Sequence, residues 1–396
     1  MEKIKFPRVG EEMYHEKLEN GLNVFVFPKA GFRKGYAFFA TNYGGNDTRF
    51  CLDGEWHDTP AGVAHYLEHK MFDTEDGNAL QDLAAQGASP NAFTSSAMTG
   101  YYFESTENFK ENLRILLSFV SIPYFTKESV DKEQGIIGQE IDMYKDSPEW
   151  ECFFNLLDSM YVNHPVKIDI AGTKESIAQI TADMLFSCYD TFYNLSNMAL
   201  AVAGKTTVEE VLEIADRLLE ETEKVTVERA FLDEPEDIVR DYVEENLPVA
   251  TPVFAYGFKE NHDTAERTVE EEIAMLIILE IIAGQMSPLY KHLLDADLIN
   301  TTFSTEYFNG YNYAAPIFSG ESSDPHAVCE KIKEAIAELK NNGISEEEFE
   351  IVRKKQYGKT VRAFSDIDTV ANGLVTTHFA NDELFAEFNV VKNMKL

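Results

Sequence analysis

Apolar residues along this 396-residue chain recur at two spacings, and those spacings set the expected elements. Residues 22–27 follow an Asn20-Gly21 turn and read as a strand; 36–42 read as a second strand, ended by Gly44-Gly45. The polar run from there to Asp58 predicts a loop. Thr59 has the chemistry of an N-cap and Pro60 that of a first helical residue, where a missing N–H costs nothing, so a helix is expected through residue 72. A short helix over 77–86 closes at Gly87, and the Thr-, Tyr- and Phe-rich stretch 92–104 predicts strands. Helical patterning predicts further helices over 106–121, 126–145, 149–161, 176–180, 181–192 and 207–219, with a buried strand over 198–203.

Residues 220–245 are dense in acids and poor in apolar side chains, as in an exposed linker. A second unit follows: a strand over 251–258, a long helix over 268–294, strands near 301–307 and 313–319, and helices over 325–341 and 345–362. Its order of strand, helix, strands and helices echoes the first unit without a residue-level repeat. The expected fold is α+β with two tandem similar domains, each an antiparallel sheet with helices packed on it: 1–222, an acidic linker over 223–246, and 247–396.

Composition narrows the function classes. Hydrophobic residues make up 44% and charged residues 26%, ordinary for a globular chain, but the formal net charge is −35. Such a chain repels nucleic acid and anionic membrane surfaces and steers cationic partners toward itself, besides staying dispersed in water. Four cysteines, Cys51, Cys152, Cys188 and Cys329, form no CxxC pair and read as core thiols in a reducing compartment. The first seven residues carry no apolar run of the kind that follows the charges of a signal peptide, and the best apolar stretch, 273–282, is broken by Glu280. The expectation is a cytoplasmic protein with no membrane span.

The chemistry concentrates in His65-Tyr66-Leu67-Glu68-His69. Residues four apart on a helix share a face, which lets two imidazole nitrogens hold one zinc ion. Glu68 shares that face and can stay off the metal to take a proton from zinc-bound water, the arrangement of an H-x-x-E-H zinc peptidase. A catalytic zinc needs a third protein ligand. The helix over 126–145 offers Glu133 and Glu140, two turns apart. Glu140 lies among apolar residues, where a carboxylate is costly unless paired or metal-bound, and Glu133 is placed to orient a ligand from behind. The residues alone leave open that both are ordinary exposed helix acids.

Four stretches then resemble a known family, the inverted-motif zinc peptidases that include pitrilysin, insulin-degrading enzyme and mitochondrial processing peptidase. They are 64–72 around the histidines, 87–95 with Thr99 and Tyr101-Tyr102, the Glu133/Glu140 pair, and Phe192-Tyr193 to Asn197-Met198 with Gly204. The likeness is greatest to the cytosolic processing-protease-like proteins of Gram-positive bacteria. It implies His65, His69 and Glu140 as Zn2+ ligands, Glu68 as the base, and Glu133 as a support to a ligand. It also implies that Asn91, Ala92 and Phe93 lie on an edge strand that binds extended peptide. His164 is expected to be structural, and His15, His57, His262, His292, His326 and His378 lack ligand spacing.

The sequence also departs from the family. An arginine–tyrosine pair that contacts substrate in many members is replaced here by Leu294 and Thr301; Tyr307, Tyr311 and Tyr313 are the nearby tyrosines. Family members usually continue with another helix and strand, so the second domain is expected to be truncated at Leu396. The resemblance implies a zinc metalloendopeptidase acting on peptides or short unfolded segments, cationic ones by charge. Either the chain pairs with itself or it is the zinc-bearing half of a heterodimer with a related subunit. The alternative is a non-catalytic peptide-binding or scaffolding subunit of a processing-peptidase-like complex.

Overall fold

The structure, a computed structural model of the chain, describes residues 1–7, 9–52, 54–220, 225–229, 233–260 and 266–396. Strands β1 (Glu2–Phe6), β2 (Glu11–Lys17), β3 (Asn23–Pro28) and β4 (Gly35–Thr41) are followed by the hairpin β5 (Arg49–Leu52) and β6 (Glu55–Asp58). Helix α1 (Val63–Met71) leads through the short ladder β7 (Asp73–Thr74) and β8 (Gly77–Asn78) to α2 (Ala79–Ala85). The hairpin β9 (Ala88–Thr94) and β10 (Thr99–Ser105) comes next, then α3 (Phe109–Ser121), α4 (Lys127–Lys145) and α5 (Pro148–Met160). Helices α6 (Lys174–Ile177) and α7 (Ala182–Phe192), strand β11 (Met198–Gly204), α8 (Val208–Leu218) and β12 (Glu228–Arg229) follow. The chain then forms β13 (Val253–Gly257), α9 (Val269–Ala283), α10 (Pro288–Asp295), β14 (Ser304–Gly310) and β15 (Tyr313–Glu321). It ends in α11 (Pro325–Asn342), α12 (Glu346–Ala363), α13 (Ile367–Phe379) and α14 (Ala386–Asn393).

The architecture is α+β with two similar units, each built on a sheet, but the units are not contiguous in sequence. The first comprises Met1–Ile141, Asp169–Ala230 and Arg362–Leu384; the second comprises Asp142–Ile168, Phe231–Val361 and Phe385–Leu396. This division differs from the expected boundaries in two places. Residues 142–168 cluster with the second unit because Leu157, Met160 and Tyr161 pack with Tyr313, Ala315 and Ile317. Residues 362–384 cluster with the first because α13 lies on β11, β4 and β3. The acidic segment 223–246 is only partly a linker. Residues 223–224 and 230–232 lie outside the described residues, but β12 pairs with β5, and Glu234 is buried in the second unit.

The first unit's sheet has seven strands in the order β1-β2-β3-β11-β4-β10-β9, antiparallel except where β11 runs parallel to β3. Paired residues share a face. Leu200 and Val202 of β11, Phe39 of β4, and Tyr101 and Phe103 of β10 lie on the face covered by α1, α3 and α8. Ala199, Ala201 and Ala203 lie on the other, flanked by Phe25, Phe27 and Phe38. That row of small side chains lets α13 approach closely, burying Val370, Ala371, Leu374 and Val375. β9 ends the sheet and, among the described residues, pairs only with β10.

The second unit has the antiparallel sheet β13-β15-β14 with α9, α10 and α11 around it. Here the expected single helix over 268–294 is two. The helix stops at Gly284, where a Cβ would collide with Glu280, and restarts with Ser287 as N-cap and Pro288 as first helical residue. Taken together, Val269–Asp295 is long and apolar enough to cross a membrane by length and composition, contrary to the expectation that no stretch qualifies. The break leaves α9 with 15 residues, about 22 Å, short of a hydrocarbon core of about 30 Å. Its Ile273, Ile277, Leu279 and Ile282 are buried in apolar clusters of the second unit. The expected loop through Asp58 contains the β5–β6 hairpin, whose four-residue strands are too short for alternation to stand out.

Candidate metal centre

The site is assembled on α1 and α4. The expected cap Thr59 is not one: its N–H donates to Thr48 O at 2.8 Å, and α1 starts later, from Gly62 at φ 96. Only glycine fits there, because that φ is left-handed and a Cβ would lie 2.7 Å from Ala171 O. The approach to the helix is fixed by Ser176 Oγ, which donates to Ala61 O at 2.8 Å. α1 is buried almost all round, and Lys70, wholly buried, pairs with Asp73. Tyr66 Oη donates to Val130 O at 2.5 Å, and Lys70 Nζ to Ser129 O at 3.4 Å, which ties α1 to the start of α4.

Those ties bring the predicted residues together. Ligand atoms of His65, His69 and Glu140 all lie within 4.8 Å of one another. Glu140 Oε2 is 3.2 Å from His69 Nε2 and 3.7 Å from His65 Nε2. Tetrahedral ligands about 2.0–2.1 Å from a zinc ion stand about 3.3 Å apart, so the donors fit a zinc ion in both chemistry and spacing. Glu133 Oε1 is 3.0 Å from His69 Nδ1, which turns the other ring nitrogen toward Glu140. His65 Nδ1 is buried and has no hydrogen-bond partner among the described residues. Glu68 is directed elsewhere: Thr94 Oγ1 donates to its Oε2 at 2.7 Å. Thr94 is the contributor that sequence reasoning missed as a site residue. Its signal was the two-residue alternation of β9, which puts Thr94 on the same face of the sheet as α1.

Electrostatics of the metal-free protein follow from this crowding. Burial first, then the charge of His69, lowers the His65 pKa to about 4. Burial pulls His69 the same way, but its bonds to Glu133 and Glu140 outweigh that and raise it to about 10. Burial raises Glu68 above the usual carboxylate range. A proton on His69 thus occupies the position, between carboxylates, that suits a cation.

The predicted peptide-binding residues lie on the free edge. Pro90 has no N–H, so the β9–β10 bonds fall at Ser89, Asn91 and Phe93, and the main chain of Ala92 faces outward. The Ala92 N–H is capped by Asn91 Oδ1 at 2.9 Å. Leu294 and Thr301, which the resemblance aligns with an arginine–tyrosine pair, are exposed in the second unit. Of the nearby tyrosines, Tyr313 is buried, Tyr307 donates to Glu260 at 2.8 Å, and Tyr311 is exposed. His262 lies outside the described residues, and among those described no second cluster of metal-binding groups occurs.

This two-unit α+β fold, with an H-x-x-E-H helix facing an acid-bearing helix, agrees with what the resemblance to the inverted-motif peptidases implies. Two family models match the chain: "Insulinase (Peptidase family M16)" over residues 53–174 and "Peptidase M16 inactive domain" over residues 179–369. The uncharacterized zinc protease YmfH of Bacillus subtilis is 38% identical over 99% of this chain and 93% of its own length. The crystal structure of an M16-like peptidase from Alicyclobacillus acidocaldarius superposes with a TM-score of 0.94, at 34% identity, covering 99% of this chain and 94% of that one. A probable mitochondrial-processing peptidase subunit beta of Arabidopsis thaliana is 25% identical over 57% of this chain and 44% of its own length. The chain belongs to peptidase family M16.

Proposed function

We propose that this chain is a zinc metalloendopeptidase, or the zinc-bearing subunit of a heterodimeric one, that hydrolyses peptides or short unfolded segments. The observation that carries this reading is the convergence of His65, His69 and Glu140 donors within 4.8 Å beside Glu68, which Thr94 holds. His65, His69 and Glu140 would hold the metal, with Glu133 fixing the ring of His69. A zinc ion there supplies Lewis acidity to a carbonyl and to water. Glu68 takes the proton of the attacking water and later delivers it to the leaving amine; burial, which raises its pKa, suits it to carry that proton. Ala92 supplies outward main-chain groups that hold the peptide straight, so selectivity for sequence is loose. The net charge favours cationic peptides. The relatives named zinc proteases support the metal, the four free cysteines support a reducing, cytoplasmic setting, and the net charge of −35 disfavours nucleic acid and anionic membrane surfaces as partners.

The test is Glu68→Gln. Cleavage of a quenched fluorescent peptide should fall about 10³-fold while zinc content is kept. Retention of activity within about tenfold would remove Glu68 as the base. A second reading, a non-catalytic peptide-binding or scaffolding subunit, rests on Leu294 and Thr301 standing where the resemblance aligns a substrate-contacting arginine–tyrosine pair. It requires that the parent, alone or with a related subunit, bind peptides without cleaving them.

A further inference from the structure

A cavity of about 350 Å³ opens on the face of the first unit's sheet opposite the metal centre. Its floor is aromatic: Tyr36 of β4 and Tyr102 of β10 have ring centroids 5.5 Å apart, and Phe93 of β9 is 6.4 Å from Tyr102. Beneath them Phe38 stacks on Phe93 at 5.7 Å, which Gly100 allows, since a Cβ there would collide with the Phe38 ring. One wall is α13, with Asp368 and Asn372; Asn372 Oδ1 accepts from Tyr36 Oη at 3.0 Å. Glu104 lines the cavity too, and its outer side is met by Lys34 Nζ at 2.7 Å, both groups being more than 40% exposed. Burial raises the Tyr36 pKa against the opposing bond to Asn372, and Tyr102, Asp368 and Glu104 add smaller upward contributions.

The cavity is continuous with the peptide edge. Side chains alternate along β9: Thr94 reaches Glu68 on one face, whereas Ser89, Asn91 and Phe93 line this cavity on the other. A peptide added to β9 as a strand alternates in the same way, so its side chains fall by turns toward the metal centre and over the aromatic floor. Ring faces beside two carboxylates suit a long apolar stem ending in a cation, and a planar guanidinium stacks better than an ammonium.

We propose that this pocket, through Tyr36, Phe93, Tyr102, Glu104 and Asp368, takes the side chain of a basic residue, arginine before lysine, of a peptide held on β9. It rests on the reading of β9 as the peptide-binding edge. The test uses binding, so it does not depend on turnover. The zinc-loaded full chain carrying Glu68→Gln is titrated into fluorescein-labelled peptides of about ten residues, long enough to lie along one strand. The peptides differ at one position, stepped along the sequence, which holds arginine, lysine, norleucine or glutamate.

At one position arginine should bind roughly fivefold tighter than norleucine, with glutamate weakest. Asp368→Asn with Glu104→Gln should bring arginine to within about twofold of norleucine and leave norleucine unchanged. Asp368→Lys, at an exposed helix position, should move glutamate ahead of arginine. An arginine preference that survives the double substitution overturns the assignment. So does tight binding with no preference in the parent, which would leave the peptide edge standing. Failure to bind any peptide would overturn the edge reading and the pocket together.

Discussion

Two buried histidines divide this protein's polar interior into a closed cluster and an open one. His164, in the second unit, has its pKa lowered to about 4, chiefly by burial. Its Nε2 lies 3.0 Å from Tyr311 O and its Nδ1 accepts the Val166 N–H at 3.1 Å, so both nitrogens are used. Its own N–H, with those of Val162 and Asn163, donates to the Glu234 carboxylate, which also accepts from Lys259 Nζ at 2.6 Å. Burial alone would raise Glu234, but the ammonium and the three amides outweigh it and hold the carboxyl below its ordinary range. His65, in the first unit, has the same lowered pKa, yet its Nδ1 is unpartnered among the described residues and its Nε2 faces Glu140. Around it, Glu68 and His69 are pushed above their ordinary values. The same residue type, buried in both places, is structural where its partners are complementary, and a ligand candidate where they are not.

The largest expected effect separates the two clusters outright. His65→Ala should lower zinc from about one per chain to under about a tenth, read by mass spectrometry of the purified protein. Zinc retained in the variant would break the assignment of the open cluster. Glu234→Ala should instead lower stability by about 3–5 kcal/mol in urea unfolding, because Lys259 is left buried without its partner, while zinc content is unchanged. A loss of zinc there would mean that the two clusters are not independent. Glu133→Gln should weaken zinc affinity about 10–100-fold, by competition with a chromophoric chelator, if the Glu133 contact to His69 Nδ1 orients that ring as a ligand.

Proton linkage gives the smallest effects. The proton on His69, with a folded pKa of about 10 against an ordinary 6.5, stabilises the metal-free protein fully below pH 6.5. That contribution is lost as pH rises through 10. A zinc ion bound there would replace the proton, so calorimetric titration at pH 8 in two buffers of different ionisation heat should show about one proton released per chain. No release would sharpen the comparison against this account. For His65 and His164 the sign is opposite: both fold as neutral rings with pKa about 4, so their contribution is full above pH 6.5 and lost as pH falls from there toward 4. His164→Gln should flatten that acid limb even with zinc bound.

Much of the fold was legible because it is written locally. The strands at β3, β4 and β11 carry apolar runs, and α7, α8 and α9 carry threonine caps directly before them. What failed locally had tertiary causes. Thr59-Pro60 has the chemistry of a helix start, but Ala171 and Ser176 fix the chain so that α1 begins at Val63, after Gly62 as its cap. The apolar patterning of 268–294 is helical throughout and masks the local signal of the break, Gly284 followed by the Ser287-Pro288 helix start.

The sequence by itself determined the two-unit α+β class and the histidine pair, because one helical turn fixes His65 and His69 on a common face. It determined the acids at Glu133 and Glu140 as candidates, but many acids compete in a chain of charge −35. Only the tertiary structure decided among them, through Tyr66 and Lys70 docking α1 on α4 so that Glu140 meets both rings and Glu133 the far nitrogen of one. It also decided that α13, distant in sequence, covers the first unit's sheet and walls the pocket beside β9. Neither result is encoded in a local pattern, because each depends on which buried surfaces fit one another when the chain closes.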